Sequence, residues 1–270
     1  MINTRQAGLT LVELMISVSL GLIISLFITN IMISSARTAT TSEGITQAQE
    51  TGRLTMSWLD NYLSKAGYNS NYLSSESVSF FPLAKACTGS DTPPDDNAHC
   101  SFNSDDNTSG GDRIAIRRKA GGLNPADTDL KTCTDEDLGA SMINKQDEVI
   151  DVFWVSDEQL FCVSYNEDGT KIGSAQSIAN GVESLQFLVG VGNSEGNVER
   201  FISLSKVNNW NEVVAIRVAI LTTEFGSNSI DLDDRTYGLL DSTPISHRDT
   251  VSRYIQNGTI WFPNTKNIER

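Results

Sequence analysis

Residues 14–33 form a run of 20 residues without a formal charge, dense in Leu, Ile, Val, Met and Phe. Twenty helical residues rise roughly 30 Å, about the thickness of a bilayer's hydrocarbon core, so the run predicts one membrane-spanning helix. Glu13 stands at its head, the fifth residue of an apolar stretch that begins at Leu9. A carboxylate in lipid is costly, so one that is retained there points to a function and needs a partner. Ser17, Ser19, Gly21, Ser25, Thr29 and Asn30 dilute the run. Small and hydroxylated residues let helices approach closely inside a membrane, so the span reads as built to pack against other helices.

What precedes the span is unlike a secretory signal, in which a basic region, an apolar stretch and a small-residue cleavage site follow in that order. Here Arg5 and the small residue Gly8 both come first, so a cut after Gly8 leaves the span on the mature protein. Arg5 is the only charge in that leader, and positive-inside bias places the N-terminus in the cytoplasm with the remainder outside.

The stretch AGLTLVELMISVSLGL resembles the class III signal of type IV prepilins: a short basic leader, Gly at the cut, an apolar first residue, then Thr-Leu-Val-Glu-Leu. The resemblance implies a leader of residues 1–8, cleavage by a prepilin peptidase between Gly8 and Leu9, and methylation of the new amine of Leu9. It also implies a partner for Glu13, which pairs in such filaments with the N-terminal amine of a neighbouring subunit. A carboxylate in lipid is stabilised by an opposite charge brought close to it, so docking relieves the cost carried by the isolated chain.

The helix continues. Ile45, Ala48, Gly52, Met56, Leu59, Leu63 and Ala66 recur at intervals of three and four, one apolar stripe on an α-helix with polar residues opposite. Gly67 is the expected stop. A helix over 9–66 is roughly 87 Å long, with its transmembrane half at 9–34 and its second half packed on a globular head. Gly44 and Gly52 read as points of bending. A coiled coil is the alternative for such a stripe, but it spans only about three heptads with few charged flanks. The segment ETGRLTMSWLDNYLSKAGY resembles the stretch that closes the long helix in the PilW group of minor pilins, through Glu50, Gly52, Arg53, Leu59, Asp60, Ala66, Gly67 and Tyr68. It departs in having Leu54 for Phe and no basic residue near Asp60.

Beyond Tyr68 the period shifts toward two. Strands are expected at 77–81, 113–118, 148–155, 159–165, 183–191, 212–224 and 251–262, with turns at SDE (156–158) and NEDGT (166–170). The expected fold class is α+β, a type IV pilin fold with its long N-terminal α-helix packed on an antiparallel β-rich head over 67–270. GGDRIAIRR, QLFCVSYNEDGT, NGVESLQFLVGV, WNEVVAIRVAIL and HRDTVSRYIQNGTI occur in the order of PilW-like proteins. The regions 84–111 and 122–146, rich in Asp, Asn, Ser, Gly and Thr, read as surface loops pinned by disulfides. In an exported chain the four cysteines, Cys87, Cys100, Cys133 and Cys162, imply two disulfides with three connectivities open. Nearest neighbours are the preferred pairs.

The net charge of −14 and the lack of clustered Lys and Arg argue against a nucleic-acid partner. No CxxC pair and only two imidazoles, His99 and His247, argue against zinc. No cofactor is expected. Asp95, Asp96, Asp105, Asp106 and Asp112 are weak Ca²⁺ candidates without EF-hand spacing, and SIDLDDRTYG (229–238) is weaker still. No nucleophile motif, HExxH, Walker loop or GxGxxG is present, so catalysis is not expected. Trp58, Trp154, Trp210 and Trp261 read as core or subunit contacts.

The resemblance implies a minor pilin, held in the inner membrane with a periplasmic head and then extracted into a pilus on the cell surface. It would sit in a tip or priming complex that starts assembly and presents an adhesin. Its implied partners are other minor pilins, the major pilin, the prepilin peptidase, the inner-membrane assembly platform and a tip adhesin. A minor pseudopilin of type II secretion shares the same N-terminus. A membrane-anchored ligand- or Ca²⁺-binding protein that never polymerises is the alternative from another class.

Overall fold

A computed structural model of the chain describes residues 10–68, 82–84, 87, 98–104, 110–121, 131–193, 196–224 and 232–265. One helix, α1 (Leu11–Leu63), runs 53 residues, roughly 80 Å. Thr10 caps it, its hydroxyl accepting the Glu13 N–H at 3.3 Å. The helix ends three residues earlier than the stripe suggested. A turn over 64–67 follows, and Gly67 leaves it at φ 75 to donate its N–H to the Arg117 carbonyl at 2.8 Å. Asn264 closes the exposed helix end from the far side of the chain, donating to the carbonyls of Ser64 (3.1 Å) and Ala66 (3.2 Å).

The head contains two four-stranded antiparallel sheets. The first, in order β1-β2-β3-β4, is built from β1 (Ile114–Lys119), β2 (Glu148–Ser156), β3 (Gln159–Asn166) and β4 (Lys171–Asn180). The second, in order β10-β7-β5-β6, is built from β5 (Val182–Gly192), β6 (Val198–Ile202), β7 (Val213–Thr223) and β10 (Arg253–Trp261). A ribbon of β8 (Thr236–Tyr237) and β9 (Ile245–Ser246) lies over the outer face of the second sheet, with Tyr237 and Leu239 packed on Ala219 and Leu221. This is the α+β architecture expected, and the strands at 113–118, 148–155, 159–165, 183–191, 212–224 and 251–262 correspond to β1, β2, β3, β5, β7 and β10. The strand expected at 77–81 lies outside the described residues.

Both expected turns are hairpins. Asp157 and Glu158 take positive φ (48 and 57) between Ser156 and Gln159, the two-residue loop whose twist matches its strands. In the second, Gly169 adopts φ 78 and the Thr170 N–H donates to the Asn166 side chain at 2.7 Å.

α1 closes the open side between the sheets. Leu59 and Leu63 share one core with Phe153, Leu160, Phe187 and Ile216 from both of them. Two disulfides tie down the connections: Cys87–Cys100, with Cα atoms 5.1 Å apart, and Cys133–Cys162, 6.2 Å apart. The region 122–146 departs from the loop expected there. Its described part, from 131 on, holds a short helix, α2 (Ala140–Lys145), and buries Cys133 and Leu138.

Candidate functional site

The helix has two chemically different halves. From Leu11 to Ile33 every large apolar side chain is at least half exposed save Ile33 at 48%, and among the described residues no part of the head covers this half. Its hydroxyls turn inward: Ser17 donates to the Glu13 carbonyl, Ser19 to Met15 and Thr29 to Ser25, at 2.8–2.9 Å. Such back-bonding satisfies polar groups within the helix, leaving a surface fit for lipid or for another helix. Glu13 is in the first turn, where its carboxylate accepts from the Thr10 hydroxyl at 3.4 Å. Its neighbours Gly8 and Leu9 lie outside the described residues.

The second half is seated on β7 and β10. The buried stripe is Gly44, Ala48, Gly52, Thr55, Leu59, Leu63 and Ala66. It differs from the expected stripe by one-residue shifts at two places, since Ile45 and Met56 are only partly buried while Gly44 and Thr55 are covered. The reason is close approach. A Cβ at Gly52 would lie 3.1 Å from the Gln256 Cβ and 3.2 Å from the Thr222 hydroxyl, and one at Gly44 would collide with the Glu224 carboxylate and lie 2.8 Å from the Ser252 hydroxyl. These glycines serve contact with the sheet, where bending was expected. Thr222 donates to the Ala48 carbonyl at 2.8 Å. Periodicity of apolar residues misses such a seat, because its key residues are Gly and Thr. Small residues recurring four apart, Gly44, Ala48 and Gly52, are the signal that identifies it.

Three polar clusters hold the head in place. Arg118 and Asp151 form a buried ion pair at 2.6 Å, and Ser164 links Asp151 to the Cys133–Cys162 disulfide. Arg253 donates to Glu183 (2.7 Å) and bidentately to Asp249 (2.7 Å each), anchoring the segment 232–252. The Arg253 hydrogen bond holds the Asp249 carboxyl down at about 2 against partial burial. Gly110, Gly111 and Asp112 clamp the two sheets. The Leu185 N–H donates to the Gly110 carbonyl at 2.9 Å, and the Asp112 N–H to the Leu185 carbonyl at 2.7 Å.

That clamp bears on calcium. Of the five candidate aspartates, Asp95, Asp96, Asp105 and Asp106 lie outside the described residues. Asp112 is buried, and its carboxylate accepts the N–H groups of Ser104 and Phe187 at 2.7 Å and the Asn103 amide at 3.2 Å. Burial pushes its carboxyl up to about 8, against those donors, which pull it down. An oxygen set already filled by N–H donors is poorly placed to hold a cation. In the second candidate loop, Asp233 accepts from Arg235 at 2.5 Å and Tyr237 at 2.7 Å, while 229–231 lie outside the described residues. Among the described residues no group of three acidic, His or Cys side chains could hold a metal.

His99 lies against Tyr165, and His247 faces Glu183 (3.6 Å) and Asp249 (3.9 Å). Among the described residues neither imidazole hydrogen-bonds a serine or a cysteine. Trp58 stacks on Tyr62 and meets Phe153, Trp154 stacks on Phe161 beneath Arg113, and Trp210 packs on the core. Trp261 alone of the four is largely exposed, at 52%.

Two family models match the chain: Type IV Pilus-assembly protein W over residues 144–264, and the Prokaryotic N-terminal methylation motif over residues 3–29. Among solved structures, it is similar to a type IV-like pilin from Thermus thermophilus, at 13% identity and a TM-score of 0.43, covering 80% of this chain and 96% of that one. No curated protein matches it significantly.

Proposed function

We propose that this chain, a PilW-like type IV prepilin, is a minor subunit of a type IV pilus and works by assembly rather than catalysis. One observation carries the reading: a single helix presents an apolar half headed by Glu13, while its other half is locked onto a head. Such a molecule waits in a membrane for neighbours. Cleavage after Gly8 frees the Leu9 amine, which is methylated and keeps a positive charge, and the Glu13 carboxylate of one subunit pairs with that amine on the next. Pairing neutralises both groups in a low-dielectric setting, so the isolated subunit is disfavoured and the assembled one favoured.

The anchored state lies in the inner membrane with the head in the periplasm, the side to which disulfides belong. A head much larger than its helical seat suits a tip or priming position with other minor pilins, where crowding is least and an adhesin can be presented. Intact mass and N-terminal sequence of the protein from its native membrane test the reading, alongside Glu13→Ala. The expected mature chain begins at N-methylated Leu9, and the variant is cleaved but fails to join filaments. An uncut chain beginning at Met1 would remove the reading.

A further inference from the structure

The four sheet edges are not protected alike. β1 carries Arg117, Arg118 and Lys119 and is bridged at Ile116 by Leu83. β4 is bent by register shifts against β3 and by Gly173 at φ 78. β6 is five residues long and carries Glu199 and Arg200. Charge, bends and shortness are how sheets blunt the unpaired main-chain groups of an edge. β10 has none of them past Arg253. It pairs with β7 over nine residues without a shift, and residues 254–265 carry no formal charge in a chain that is 20% charged.

The direction of its main-chain groups follows from two hydrogen bonds. The Phe262 N–H donates to the Val214 carbonyl at 2.9 Å, and the Ser252 carbonyl accepts the Glu224 N–H at 3.0 Å. Even-numbered residues therefore face β7, and by alternation 255, 257, 259 and 261 present their N–H and C=O groups to the other side. Among the described residues no strand pairs with that side. Beside it a cleft of about 320 Å³ opens between α1 and β10, lined by Arg53, Met56, Asp60, Gln256, Gly258 and Ile260. Gly258 keeps the cleft open, since a Cβ there would meet only Met56, at 3.5 Å.

We infer that β10 is a docking edge for an extended, uncharged strand of a neighbouring pilin-type subunit. The strand adds along β10, and its alternate side chains drop into the cleft against Met56. This rests on the filament-subunit reading above. A row of main-chain donors and acceptors at every second residue is complemented by another extended main chain. The strand itself, over 254–265, is neutral within a chain of charge −14, and Arg53 of the cleft is already paired with Glu50, so the strand admits a neutral partner. Antiparallel pairing of two β10 strands is ruled out by orientation. It would reverse one α1 relative to the other, whereas both helices enter one membrane in the same direction. A different segment of the neighbour pairing here makes a head-to-tail contact of the kind that propagates along a filament.

The test uses the full-length chain in cells that assemble the filament, with a photo-crosslinking side chain at Asn257, at Thr259 and, as a reference in the membrane half, at Leu22. Expected are adducts to another pilin-type subunit from all three positions. Asn257→Pro removes an outward N–H and leaves the β7 ladder intact, so filament incorporation should fall at least about tenfold, the size of one or two net hydrogen bonds. The melting temperature of the solubilised chain should stay unchanged. Gly258→Val, a strand-former that fills the cleft, should do the same if proline disturbs folding. Adducts from Leu22 alone, adducts from β10 to a protein of another kind, or normal incorporation of both variants would overturn the docking edge and leave the subunit reading standing. Absence of adducts at Leu22 as well would remove both.

Discussion

The hydroxyl of Thr222 donates to the main-chain carbonyl of Ala48 at 2.8 Å and also to the Tyr254 carbonyl at 3.1 Å, so one β7 side chain ties the helix to two strands of the sheet. That three-way contact exists because Gly52, one turn further on, brings no side chain between helix and sheet. Gly52→Leu should force the surfaces apart and cost about 1–3 kcal/mol, as overpacking does elsewhere. Urea denaturation of the solubilised protein reads the loss. Gly21→Leu is the control: nothing lies within 4 Å of a Cβ there, so head stability should not change.

A second expectation concerns the buried pair. Arg118 and Asp151 are both nearly inaccessible. Asp151→Ala would leave a guanidinium without its counter-charge and should destabilise the head by about 3–5 kcal/mol. The double replacement Arg118→Met with Asp151→Leu should cost much less than the single one. Equal losses in the two variants would mean that the pair does not act as a unit.

Acid should loosen the segment 232–252. Asp249 is held at about 2 by Arg253, and Asp233 is held low by Arg235 and Tyr237 despite its burial. Depressed carboxyls contribute stability that is full above their unfolded values, near 3.8, and is lost as pH falls through the folded ones. Melting temperature should therefore fall between about pH 4 and pH 2, and Arg253→Met should flatten that limb. Asp112 works in the opposite sense. Its carboxyl is raised to about 8, so its contribution is full below its unfolded value and fades as pH rises toward 8. Asp112→Asn should remove that second dependence, visible as a flatter profile between pH 4 and pH 8.

The two disulfides should not be equivalent. Cys133–Cys162 closes a separation of 29 residues and both sulfurs are buried in the main core, whereas Cys87–Cys100 closes 13. Replacing the first pair by alanines should cost about 3–4 kcal/mol and the second less, from loop entropy alone. Denaturant midpoints of the two double variants check the order.

Long-period features of this chain are legible in its sequence, and short-range exceptions are not. The apolar run of 14–33 and the runs of β-branched and aromatic residues in β2, β3, β5 and β7 each repeat one physical preference many times, so membrane helix and sheet both emerge. β4 stayed hidden because its sequence, KIGSAQSIAN, has almost no apolar alternation, being exposed along most of its length. β6 and α2 are too short for a period to register. The helix seat was misplaced by one residue at Gly44 and at Thr55, because burial there is decided by how closely two backbones can approach, and hydropathy does not encode that distance. The Arg253 cluster was invisible for another reason: it gathers Glu183, Asp233 and Asp249 from segments up to 70 residues apart. Glu13 stands out in the sequence as the one carboxylate of the apolar stretch, and its side chain accepts from the Thr10 hydroxyl in the same turn.

The bond between Thr222 and Ala48 joins residues 174 positions apart. At synthesis rates of about 5–20 residues per second, the helix is made on the order of ten to thirty seconds before the strand that receives it. During that interval the membrane half can already lie in lipid while the stripe of Gly44, Ala48 and Gly52 is bare beyond it. The molecule thus acquires its anchor first and its rigidity last. A chain whose head has not yet closed over α1 already carries its whole apolar half, and the order of manufacture itself separates the two halves of one helix in time.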